Sequence, residues 1–198
     1  MLFRSDGGEL DPSRRPIDNP AYFAVHDPLL PLALVAGHTS RIGLGVATIC
    51  APFTAPALLA KAAASLDVLC DGRLTLGLGS GLAASIERLG VANAKPLRRI
   101  VECFGTVRAL LAGEEVNGAK LSFKPMRADM PILMAARGPN ALALAGKIAD
   151  GLMISNMCPP GFAAWAAGVA KPKRMVQYVP CAVGPDRDKA TAATRTGR

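Results

Sequence analysis

Cysteine is scarce, and its pattern is unpaired. Five residues stand at 50, 70, 103, 158 and 181, an odd number with no C-x-x-C. That excludes a disulfide scaffold and a zinc ribbon, and buried thiols in the cytoplasm are the expected state. Histidine is scarcer still. Only His26 and His38 occur, there is no H-E-x-x-H, and no metal site is expected. One Trp, two Tyr and six Phe are too few for a platform that stacks nucleic-acid bases. No run approaches the roughly 18 apolar residues of a membrane span, since the richest segments, 28–36 and 161–170, are short. The first residues, Met1 to Asp6, lack a charged region followed by an apolar core, so no secretory signal is expected. No G-K-[ST] occurs, which excludes a P-loop, and Gly79-Ser80-Gly81 is only a truncated nucleophile elbow.

What is present is apolar and regular. The 198 residues are 51% hydrophobic and 19% charged, enough to bury one core. The net charge of +8 is uneven. Residues 171–198 carry Lys171, Lys173, Arg174, Arg187, Lys189, Arg195 and Arg198 against Asp186 and Asp188. This basic end lacks interleaved aromatics, so neither a nucleic-acid nor a membrane partner is expected.

Residues 1–27 are rich in Pro, Asp, Arg and Gly and read as an irregular loop with a strand stub near Leu2-Phe3. From 28 to 198, strand and helix patterns alternate. Strands are predicted over 41–47, 73–79, 131–136, 151–155 and 175–183. Helices are predicted over 29–37, from Pro56 with Thr54 as cap to a C′ Gly72, and from Pro96 to Gly113. Three more follow: from Pro139, over 160–170, and from an Asp186 cap. The expected core stripes are Leu58, Leu59, Ala62, Leu66, Leu69 and Cys70, then Leu97, Ile100, Val101, Phe104, Val107 and Leu111. Near-continuous apolar strands alternating with helices imply α/β with a parallel sheet. A doubly wound sheet and a (β/α) barrel both fit that order. The dinucleotide fingerprint does not, because the third glycine of Gly77-Leu-Gly79-Ser-Gly81 comes one residue early.

In either architecture ligands gather at the carboxyl ends of the strands. Four loops there carry unusual chemistry. Ala47-Thr-Ile-Cys50 offers small residues that permit close approach of a flat ring, or merely packing. Gly77-Leu-Gly-Ser-Gly81 allows backbone approach, or is a tight bend. Ala136-Arg137-Gly138-Pro139 joins a strand to a helix N-terminus, where free N–H groups and a guanidinium favour an anion. Ser155-Asn156-Met157 adds polar groups. His26, His38, Asp67, Asp71 and Asp150 read as loop or helix-end residues.

A set of motifs in order then becomes specific. Thr39-Ser-Arg-Ile-Gly-Leu-Gly45 is followed by Pro56-Ala-x₇-Ser65-Leu-Asp-x-Leu-x-x-Gly-Arg73 and Leu76-Gly-x-Gly-x-Gly81. Leu89-Gly90, Lys95-Pro96, Leu110-Leu-Ala-Gly-Glu114, Pro131-Ile-x-Met-Ala-Ala-x-Gly-Pro139 and Leu144-Ala-Gly-x-Ile-Ala-Asp150-Gly151 follow. Over about 28–183 the chain resembles the luciferase-like flavin- and F420-dependent oxidoreductases, nearest the methylenetetrahydromethanopterin reductase branch.

The resemblance implies a (β/α)₈ TIM barrel that is incomplete here. Five to six parallel strands are expected, from near the end of the family's second strand to the helix after its seventh, without the first and last units. It implies hydride transfer between coenzyme F420 and a small organic substrate. The alternatives are FMN-dependent monooxygenation or a non-catalytic flavin-binding paralogue. It implies that Ala47 and Thr48 lie behind the cofactor ring, where relatives carry a glycine-bearing backbone bulge. Gly79, Ser80 and Gly81 would flank the ring, Ala136, Arg137, Gly138 and Pro139 would hold the phosphate, and Asp6 would match the aspartate ending the second family strand. Two acid–base positions of the family differ. Gly7 replaces a histidine, Leu82 replaces an acid, and Glu87 is the nearest carboxyl. No catalytic residue is therefore assigned. Exposed strand edges lead to an expectation of homo-oligomers.

Overall fold

The computed structural model describes residues 27–81, 95–154, 158–178 and 184–195. Among these residues lie six strands: β1 (Leu44–Gly45), β2 (Ile49–Cys50), β3 (Leu74–Gly79), β4 (Ile132–Ala135), β5 (Gly151–Ile154) and β6 (Met175–Gln177). Six α-helices alternate with them: α1 (Leu29–His38), α2 (Pro56–Leu69), α3 (Pro96–Leu111), α4 (Pro139–Ile148), α5 (Pro160–Ala170) and α6 (Arg187–Arg195). All pairings between strands are parallel, in the order β1-β3-β4-β5-β6, with β2 also on β3. The result is a half-barrel of parallel strands covered by helices. A closed barrel of this kind has eight strands.

The strand expected over 41–47 is reduced to Leu44–Gly45, and a second short strand, Ile49–Cys50, forms where a loop was expected. Gly45 pairs with Thr75, whereas Ile49 pairs with Leu78. Four steps along one strand oppose three along the other, which is a β-bulge at Val46–Thr48. The Ala47–Thr48 peptide within it is cis. The last strand is also shorter than expected, ending at Gln177, and residues 179–183 lie outside the described region.

The β3 side chains Leu74, Leu76 and Leu78 are fully buried. Each contributes about 2 kcal/mol by leaving water. Helix α2 turns Leu59, Ala60, Ala63, Ala64 and Leu66 to the core, while Leu58, Ala62 and Leu69, expected there, are exposed. An alanine-rich helix has two apolar faces, and the smaller one packs closest. On α3 the stripe Ile100, Phe104, Val107 and Leu111 is buried as expected, but Val101 is exposed and Cys103 takes an inner place.

Helix ends mostly follow their signals. Asp186 Oδ1 accepts the amides of Asp188 and Lys189 at 2.9 and 3.1 Å, capping α6. Gly113, at φ +84°, is the C′ residue of α3. Two expectations fail. Thr54 does not cap α2; its hydroxyl donates to the Cys50 carbonyl at 3.0 Å, and Ala55 precedes the helix. The left-handed C′ position of α2 belongs to Asp71 (φ 51°), with Gly72 one residue later. The amides of Asp71 and Gly72 donate to Val68 and Asp67 carbonyls at 3.2 and 2.8 Å, a Schellman arrangement shifted by one.

Three polar ties hold the layers together. Arg73 donates to the carbonyls of Cys70, Ile42 and Thr39 at 2.7 Å each, fastening α1 to the end of α2. Asp67, in the last turn of α2, is a buried helix-end charge. It is 1% exposed and accepts Arg127 Nη2 at 2.6 Å and the Leu74 amide at 3.2 Å. Asp150 accepts the Ile132 amide at 2.7 Å and pairs with Arg108.

Candidate cofactor site on the strand rim

Because the strands are parallel, the ends of β2, β3, β4 and β5 share one rim. The bulge brings Thr48 over β3. A Cβ on Gly79 would lie 2.8 Å from Thr48 Oγ1 and 3.6 Å from Ala135 Cβ. Gly79 is therefore where the bulge, β3 and β4 meet, and a Cβ there would push the Thr48 hydroxyl aside. A Cβ on Gly77 would run into the Val46 carbonyl oxygen, so the bulge also needs a glycine there. Gly81, at φ +70°, faces Cys50 Sγ. Ser80 is half-buried and its hydroxyl donates to the Gly81 carbonyl at 3.4 Å. Ala47 and Thr48 are exposed on the rim.

The rim continues through β4. Ala136 is buried and its amide donates to the Met153 carbonyl at 3.1 Å. Gly138 precedes α4 in extended conformation, and Pro139 occupies its first position. Gly138 supplies no side-chain cap, and the first amide bonded within the helix is that of Leu142, at 2.9 Å to Gly138. The early amides of α4 thus face outward beside the half-buried Arg137, whose guanidinium lies over the Phe162 ring. That donor set suits an anion.

Next to the bulge, Asp27, Thr48, Cys50, Phe53, Leu58 and Ala62 line a cavity of about 400 Å³ that lies against α1 and α2. Burial pushes the Cys50 thiol above its ordinary range, against a smaller lowering by a backbone hydrogen bond from Phe53. Burial in α3 pushes Cys103 up to about 11. Both remain neutral thiols near neutral pH.

Nine of the ten sequence-derived site residues thus lie on one rim: Ala47, Thr48, Gly79, Ser80, Gly81, Ala136, Arg137, Gly138 and Pro139. Asp6 lies outside the described residues, as do Leu82, Glu87 and the 155–157 loop. Sequence reasoning missed Phe162 and Gly77's role. An aromatic two residues after a helix-opening proline carries no signal by itself.

Residues 17–198 match the family model described as luciferase-like monooxygenase. The chain belongs to that family. Among curated luciferase-like relatives, it is 35% identical over 183 residues to 5,10-methylenetetrahydromethanopterin reductase of Archaeoglobus fulgidus, covering 83% of this chain and 54% of that protein. The coenzyme F420-dependent tetrahydromethanopterin reductase of Methanopyrus kandleri superposes with a TM-score of 0.70 at 24% identity, over 87% of this chain and 59% of that one. The monooxygenase RslO1 of Streptomyces bottropensis superposes with a TM-score of 0.67 at 25% identity, over 86% and 59%. The chain spans about half the length of these curated relatives. Among the described residues, no helix is long and apolar enough to cross a membrane.

The rim fits a flavin-type group. Its glycines leave space that a Cβ would fill, and its donors suit a phosphate.

Proposed function

We propose that this luciferase-like chain binds coenzyme F420 on the strand rim and supports hydride transfer between it and a small organic substrate. When bound, the deazaflavin supplies or accepts the hydride. The chain's part is to orient the ring and exclude water from one face. The bulge at Val46–Thr48 forms the wall behind the ring, and Gly79 keeps β3 low enough for close approach. Arg137 and the first amides of α4 fix the phosphate, so the ring is anchored from its side chain. The observation that carries this reading is the meeting of bulge and β3 at Gly79, on the same rim as the Arg137 turn.

The reductase relative favours F420 over FMN, because its 35% identity spans most of this chain. FMN with molecular oxygen is the second reading, favoured by the likeness to a monooxygenase. We place the chain in the cytoplasm on the strength of its buried free thiols Cys70, Cys103 and Cys158. We also assign it to homo-oligomers. Leu30 and Leu34 on α1 are 68% and 70% exposed, beside the edge strands β1 and β2.

Fluorescence quenching of F420 by the purified chain tests the reading. Saturable quenching is expected, and Arg137→Ala weakens it about tenfold, as loss of a charge-assisted contact of about 1.5 kcal/mol requires. A folded chain that binds neither F420 nor FMN overturns it.

A further inference from the structure

Arg137 does not stand alone over the β4–α4 turn. Its guanidinium carbon lies 5.4 Å from the centre of the Phe162 ring, within range of attraction between a cation and the ring face. Phe162 sits in the first turn of α5 and is braced from two sides. It packs against the core, and its ring meets Trp165, centroid to centroid, at 5.4 Å and 54°. The separation of α4 and α5 is itself held by close backbone contact, since a Cβ on Gly146 would collide with the Ala170 carbonyl. The ring therefore has a fixed place relative to the turn that carries Arg137.

We infer that Phe162 is a positioning residue for the phosphate of the bound cofactor: it touches no ligand atom and acts by holding the Arg137 guanidinium beside the N-terminus of α4. The inference rests on the cofactor reading above. A long arginine side chain loses rotamer freedom when it grips a phosphate, and a stacked one has lost part of it already. The chemistry requires an aromatic ring. An aliphatic side chain of similar size fills the space under α5 but offers no negative face to the cation.

The test compares F420 with its phosphate-free deazariboflavin core, titrated by fluorescence against wild type, Phe162→Leu, Phe162→Met and Phe162→Tyr. Thermal melts report whether each variant is folded. Leu and Met are expected to weaken F420 binding about two- to fivefold and to leave the core's affinity unchanged. Tyr restores wild-type affinity. Combined with Arg137→Ala, Phe162→Leu or Phe162→Met adds no further loss. Should FMN prove to be the flavin bound, FMN against riboflavin reads the same difference. Unchanged F420 affinity in both folded aliphatic variants overturns the inference, as does equal weakening of F420 and core, which would mark a packing effect. Wild-type chain that binds neither F420 nor FMN overturns the cofactor reading and this inference with it, whereas wild-type binding that ignores Phe162 overturns the inference alone.

Discussion

Asp67 is the residue on which the inner layer depends most. It is the one buried charged side chain among the described residues, and it joins α2, β3 and the segment carrying Arg127. Asp67→Ala leaves the guanidinium without its carboxylate and the Leu74 amide without its acceptor. A loss of about 3 kcal/mol is expected, measured as a lower urea midpoint. A change below about 0.5 kcal/mol, the range of an ordinary surface substitution, would contradict this role. The sequence places Asp67 at a helix end, which is correct as far as local pattern reaches. Its partner lies 60 residues away, and no local period connects the two. Gly79, Ser80, Gly81 and Ala136–Pro139 were legible because each lies at a strand end, where glycine and a helix-opening proline have local meaning. Phe162 was not, because its role comes from two helices packing side by side.

At the scale of elements, the bulge decides the shape of the rim. Its presence is a one-residue difference in register between β1 and β2 on β3. The apolar run from Ile42 to Val46 reads the same whether or not a bulge follows, so a single strand was expected. The matching signal was Gly77, whose missing side chain admits the Val46 carbonyl. Gly77→Ala forces that carbonyl away. A cost of about 1–3 kcal/mol is expected, as for overpacking a dense core, together with loss of F420 quenching in whatever fraction remains folded. Wild-type stability and quenching would show that the bulge does not depend on Gly77. Helix faces were legible for α3, where polar residues mark the outer side. They were ambiguous for α2, where alanine and leucine lie all around, and so Leu58, Ala62 and Leu69 were assigned inward.

For the whole molecule, length and motif order together pointed to part of a barrel. The described strands form five positions of a parallel sheet that ends at β1–β2 and at β6 among the described residues. Open edges and the exposed Leu30, Leu34 and Leu58 on neighbouring helices invite a partner. Sedimentation at micromolar concentration is expected to find dimers or larger species. A monodisperse, cooperatively melting monomer would contradict that. The basic surface at the C-terminal end, around Arg187 and Lys189 on α6, lies outside the residues that form the rim.

The central claim is that one rim, built from the Ala47–Thr48 bulge, Gly79–Gly81 and the Arg137 turn, receives the cofactor. Amide hydrogen exchange with and without F420 tests it most directly. Slowed exchange at 48–50, 79–81 and 137–141, with β6 and α6 unchanged, is the expected result. Protection absent from all three rim segments, or confined to other parts of the chain while F420 is bound, would contradict it.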